Sequence, residues 1–144
     1  MDIDKYIEER LNPEIKWYSS KSSVNQKRYK ICQVSEIILA TLIPLLSSYA
    51  SNKYIALIVG VFGAIIAIIE SISKLYKFHE NWIQYRTTAE MLKHEKYLFI
   101  THSRPYCSEE TINNIFIQNI EEIISSESKS WNQLNTGDQL KKDA

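Results

Sequence analysis

The sequence predicts an all-α protein: an integral membrane helical hairpin of two transmembrane helices, continuing into a cytoplasmic helical bundle and assembling as an oligomer. Three observations predict it. Between Ile37 and Ile69 the only charged residue is Lys53. Two apolar runs, residues 31–50 and 54–73, each come close to the ~20 residues that cross a hydrocarbon core about 30 Å thick. The flanks are rich in Lys, Glu, Ser, Asn and Tyr, so the slightly negative mean hydropathy averages a greasy centre with polar ends.

The 144 residues suit a single domain. Charge is balanced at 17 basic and 17 acidic residues, which gives no global attraction to nucleic acid. Residues 3–30 read as an N-terminal helical arm, with a short amphipathic helix near Ile3 to Leu11. Asn12-Pro13-Glu14 then reads as a helix start, with Asn12 as N-cap and Pro13 in the first turn. The first span covers 31–50 and contains Pro44, which is expected to kink it. Only Ser51, Asn52 and Lys53 separate it from the second span at 54–73, so the two are antiparallel neighbours. Strands are the competing reading, but two such runs without period-2 alternation exceed strand length.

From Tyr54 to Thr101 there is no Pro, and the glycines Gly60 and Gly63 both lie in the span. The expectation is one unbroken helix about 70 Å long at 1.5 Å per residue, with residues 74–101 as its cytoplasmic extension. Leu75, Phe78, Trp82, Tyr85, Ala89, Leu92 and Phe99 recur at three-and-four spacing, a stripe for packing partner helices, with Lys96 the poor fit. Arg104-Pro105-Tyr106 stops that helix. Ser108 offers an N-cap, Glu109 and Glu110 follow in the first turn, and residues 108–131 form a C-terminal helix. Residues 132–144 read as a flexible tail.

Catalysis finds no support in the residues, and the chain reads as a non-enzyme without cofactors. His79, His94 and His102 do not share a helical face at metal spacing. Leu98 stands where the second His of an HExxH motif would follow His94-Glu95. Cys32 and Cys107 form neither a metal motif nor a disulfide framework, and there is no glycine-rich phosphate loop.

The membrane pair is more informative. Ala56, Gly60 and Ala64 recur every four residues, as do Gly63 and Ala67, and small residues at this spacing let helices approach closely in lipid. Glu36 lies 16 residues before Asn52 and Glu70 lies 18 after it, so a hairpin brings the two carboxylates to nearly one depth. In a homo-oligomer they would ring the inner mouth of a pore and favour monovalent cations. The plainer alternative is local pairing, Glu70 with Lys74 and Glu36 with Lys30 or a neighbouring chain. Lys16, Lys21, Lys27, Arg28 and Lys30 precede the first span without an acid, and Lys74 and Lys77 follow the second. Both termini are therefore expected in the cytoplasm of a multi-pass protein of the cell inner (plasma) membrane.

The strings RLNPEIKWY (10–18), NQKRY (25–29), EIILATLIPLLS (36–47) and KFHENWIQYRTTAEMLKHEKYLF (77–99), followed by Pro105-Tyr106, carry a resemblance. Together they resemble a prokaryotic family of small two-transmembrane proteins of unknown function, grouped with the SLATT-type effector domains. The resemblance implies a membrane hairpin with a cytoplasmic bundle. It also implies a pore-forming effector of conflict systems, triggered by a nucleotide or a sensor protein. The expectation is a homo-oligomeric, gated ion-conducting pore in the lipid bilayer. The rival is a non-conducting anchor or scaffold whose bundle recruits a protein partner.

Overall fold

The computed structural model describes residues 2–49, 51–106 and 111–142. Cys107 and the expected cap at Ser108 to Glu110 lie outside the described residues. Among the described residues every regular element is helical. Helix α1 (Ile3–Tyr6) is capped by Asp2, whose carboxylate accepts from the Asp4 amide at 3.3 Å. It passes into a π-helical turn (Ile7–Leu11) and then into α2 (Asn12–Ser47).

The expected helix start at Asn12 is therefore corrected. Asn12 is helical (φ −63°, ψ −42°) and its N–H reaches back to the Ile7 carbonyl, five residues away. Pro13 has no N–H to give and its ring needs room. The wider preceding turn accommodates it, and the helix does not end. Pro44 likewise lies inside α2, which continues to Ser47.

Asn52 caps α3 (Lys53–Leu75), its side chain accepting from the Tyr54 amide at 3.0 Å. The expected unbroken helix from Tyr54 to Thr101 is also corrected. Helix α3 stops at Leu75, Lys77 takes φ +49°, and α4 (Phe78–Ile100) begins one residue later. No Gly or Pro marks the break. It is held by side chains instead, for Asn81 donates to the Tyr76 carbonyl at 3.0 Å and the Tyr76 and Phe78 rings stack at 5.7 Å.

Helix α4 ends in a Schellman motif with His102 at φ +49°. The Ser103 amide bonds to the Leu98 carbonyl at 3.0 Å, and His102 to Phe99 at 3.1 Å. Across the cis Arg104–Pro105 peptide, the Tyr106 amide donates to the Ser103 carbonyl at 2.7 Å. Helix α5 (Ile112–Lys142) extends into the stretch 132–144 that the sequence reads as a tail.

The chain divides into two compact units, residues 21–84 and residues 1–20 with 85–144. The second is a helical bundle whose core is Tyr6, Leu11, Tyr18, Ala89, Leu92, Tyr106, Phe116 and Ile120. Phe99 stacks on Phe116 at 4.2 Å between centroids, and Tyr106 meets both rings edge-on at 5.8 Å.

The unit of residues 21–84 holds the hairpin. Both α2 and α3 are long and apolar enough to cross a membrane, and among the described residues none of their apolar windows is buried. By contrast, replacing Phe116, fully buried in the bundle, with Ala removes a stacked ring and leaves a cavity. Phe116→Ala is expected to cost about 3–5 kcal/mol, read as a lowered urea midpoint for the bundle in detergent solution.

Candidate functional site

The two carboxylates singled out by sequence lie near enough for the charge of Glu70 to act on Glu36. Lys74 Nζ pairs with Glu70 Oε1 at 2.9 Å, one turn along α3. Glu36 finds Gln33 on its own helix, whose Nε2 donates to Glu36 Oε2 at 3.3 Å, rather than Lys30. Its other oxygen, Oε1, is buried without a hydrogen-bond partner among the described residues. The i,i+3 spacing of Gln33 and Glu36 on a helix was the sequence signal for this contact.

One layer further from the turn, aromatic rings pack together. Tyr29 lies 4.7 Å from the His79 ring and stacks on Trp82 at 6.2 Å, and the Arg28 guanidinium sits 5.9 Å over Phe78. The Ser22 hydroxyl, buried, donates to the Trp82 carbonyl at 3.3 Å. Phe78 is buried here and Trp82 half-buried, so the expected seven-residue stripe serves two units. Tyr85, Ala89, Leu92 and Phe99 belong to the bundle core or its edge. Leu75 is 73% exposed, against expectation. Three-and-four spacing holds only within one helix, and the turn at Tyr76 and Lys77 takes Leu75 out of that register.

The small residues Ala56, Gly60, Gly63, Ala64 and Ala67 are all exposed. A Cβ built on Gly60 or Gly63 would meet nothing within 4 Å, so the hairpin does not use these glycines for internal packing.

The bundle carries polar ties that hydrophobic periodicity does not disclose. Lys96, the misfit of the stripe, donates to Asn12 Oδ1 at 2.7 Å, which gives Asn12 a role other than capping. The Tyr6 hydroxyl donates to Glu121 at 2.8 Å, and Arg10 bridges Glu121 at 3.3 Å and Glu14 at 2.7 Å. Arg10 holds the Glu121 carboxyl below the ordinary glutamate range. Burial, reinforced by Glu121, pushes the Tyr6 phenol up. Tyr18 donates to Glu127 at 3.2 Å, and burial raises both groups. Tyr106 donates to Glu95 and accepts from Asn119 Nδ2 at 2.8 Å. Burial first, then that carboxylate, pushes the Tyr106 phenol up to about 12.

A groove of about 480 Å³ along α4 is lined by Arg86, Glu90, His94 and Ile123 among others. Of its carboxylates, Glu95 is bonded to Tyr106 and Glu90 is paired with Lys93 at 3.1 Å. Among the described residues no group of three or more His, Cys, Asp or Glu is placed to hold a metal ion.

The linkage signs in the bundle oppose one another. Glu121, lowered in the fold, adds stability above the ordinary value of 4.5, and that contribution is lost as pH falls through its lower folded value. Glu127, raised by burial, acts in the other direction and is relieved by acid. Glu121→Gln is therefore expected to be less stable than wild type at pH 7. The gap should narrow below about pH 4.5, as followed by urea unfolding at each pH. The Arg10–Glu121 pair is about half exposed, so its share is on the order of 0.2–1 kcal/mol.

A family model described as a protein of unknown function (DUF4231) matches residues 13–113, and the chain belongs to that family. Neither the curated proteins nor the solved structures contain a match.

Proposed function

We propose that this DUF4231 protein is a homo-oligomeric, two-span protein of the inner (plasma) membrane that forms a gated, cation-conducting pore. The observation that carries the reading is the unburied apolar hairpin ending in a carboxylate pair. Soluble monomers rarely expose contiguous apolar patches beyond a few hundred Å². Here Ile31, Val34, Ile37, Leu45, Leu57 and Ile68 are all more than half exposed. A bilayer covers such surface, and helices satisfy their own backbone groups within it.

Ring positions agree with bilayer dimensions. From Tyr29 on α2 to Tyr49 just past its end is about 30 Å, and from Tyr54 to Tyr76, the C-cap of α3, about 33 Å at the helical rise. Tyrosines favour the two interfaces of a membrane. The basic residues before the first span and after the second support cytoplasmic termini.

Assembly is supported by the open small-residue face. Gly60 and Gly63 leave room for a neighbouring helix to approach. Repetition of the Glu36 and Glu70 pair about an axis would give a carboxylate ring that attracts monovalent cations. The likeness of the quoted strings to SLATT-type domains supports a role as a membrane effector in prokaryotic conflict or stress systems. A sensor protein or a nucleotide would supply the trigger. Gating does not travel through one rigid rod, because the Tyr76–Lys77 turn interrupts it.

The second reading is a non-conducting anchor or scaffold whose bundle recruits a partner. The Glu70–Lys74 pair at 2.9 Å favours it, since that carboxylate is already neutralised locally. Potassium flux from proteoliposomes separates the two. The expected result is flux in wild type that falls, or loses its preference for cations, in Glu70→Gln. Absence of flux from folded, inserted protein selects the scaffold.

A further inference from the structure

The inner end of the hairpin carries a basic and aromatic collar that ion conduction does not require. Lys27, Arg28 and Lys30 lie on α2 and are all exposed, Lys74 lies in the last turn of α3, and Lys77 occupies the turn before α4. Two sets of contacts bring them to one level. On one side Arg28 and Tyr29 touch Phe78 and His79. On the other, Glu70 pairs with Lys74 at 2.9 Å and its charge acts on Glu36 across the hairpin. Lys30 falls between these contacts along α2, and Lys77 falls between them along the opposite strand of the hairpin.

Bases outnumber acids at this level, with Lys27, Arg28, Lys30, Lys74 and Lys77 against Glu36, Glu70 and Glu80. No acid occurs from Ile15 to Ser35. On the α3 side Glu70 is paired with Lys74, and Glu80 is the acid that follows Lys77. Beside the bases stand exposed apolar and amphipathic groups, Ile31 at 67%, Leu75 at 73% and Tyr76 at 60%. A soluble phosphate would use the cations and have no use for the apolar groups. A phospholipid uses both, its headgroup on the bases and its chains along Ile31, Val34 and Leu75.

We infer that this collar binds the headgroups of anionic phospholipids in the inner leaflet, an inference that rests on the membrane reading of α2 and α3. Each base near an anionic lipid surface contributes about fivefold in affinity, whereas the tip of the hairpin offers only Lys53. The selectivity therefore belongs to one end of the hairpin. Trp82, stacked on Tyr29 within the collar, is a built-in reporter.

The test is quenching of Trp82 fluorescence in proteoliposomes, with Trp17→Phe and Trp131→Phe removing the other two tryptophans. Phosphatidylglycerol with brominated chains is compared with phosphatidylcholine brominated in the same way. The expected result is a severalfold preference for the anionic lipid. It should shrink toward unity in Lys27→Gln/Lys30→Gln, which leaves the Arg28–Phe78 contact in place, and stay unchanged in Lys53→Gln. Equal quenching by both lipids overturns the site while leaving membrane insertion intact. So does a preference untouched by the double variant, or one lost equally in Lys53→Gln. No quenching by either lipid overturns the membrane reading and the site with it.

Discussion

Among the described residues the apolar windows of α2 and α3 are left unburied, and the functional reading is organised around that constraint. The hydrophobic effect works by removing such surface from water. The bundle buries a core of its own, with Leu11, Leu92, Phe116 and Ile120 fully enclosed. A medium that supplies the missing cover is therefore the central element of the functional reading. It also explains why five small residues on α3 can remain open, since their counterpart would be lipid or another copy.

Polar groups are concentrated where the greasy segments end. Glu36, Glu70, Gln33 and Lys74 form one cluster, and the rings of Tyr29, His79, Trp82 and Phe78 form the layer beside it. Charges at such a boundary are tolerated when they are paired or reach water, and Glu70 follows that rule through Lys74. Glu36 follows it less completely, with one oxygen bonded to Gln33 and the other buried without a partner. The functional reading depends on that cluster more than on any feature of the bundle.

Within the bundle, tyrosine hydroxyls do what apolar side chains cannot. Tyr6, Tyr18 and Tyr106 each bury a ring in the core and deliver an O–H to a carboxylate of another element or turn. Such ties add directional constraint to a core that hydrophobic packing alone would leave free to slide. The loop after α4 is a case in point, because Tyr106 is 1% exposed although it follows a Pro and lies outside any helix.

Much of the architecture was legible in the sequence. The absence of charge between Ile37 and Ile69 apart from Lys53 marks two long apolar helices, and counting residues from Asn52 sets Glu36 and Glu70 at nearly equal distance from the turn. Both are properties of local periodicity and helix length, which the chain determines by itself. The break at Tyr76–Lys77, the continuous helix through Asn12-Pro13, the exposure of Leu75 and the use of Lys96 were not legible. Each is decided by contacts between residues distant in sequence or by backbone hydrogen-bond geometry. Asn81 and the Tyr76–Phe78 stack hold a left-handed residue where no Gly or Pro announces one. A π-helical turn absorbs a proline that sequence rules assign to a helix start. Lys96 lies on an apolar stripe because Asn12, 84 residues away, accepts its ammonium. Composition and periodicity determined which segments are apolar helices. The helix breaks were set by near-neighbour hydrogen bonds and ring contacts that periodicity does not register, and tertiary structure decided which polar groups are satisfied, because partners remote in sequence leave no local trace.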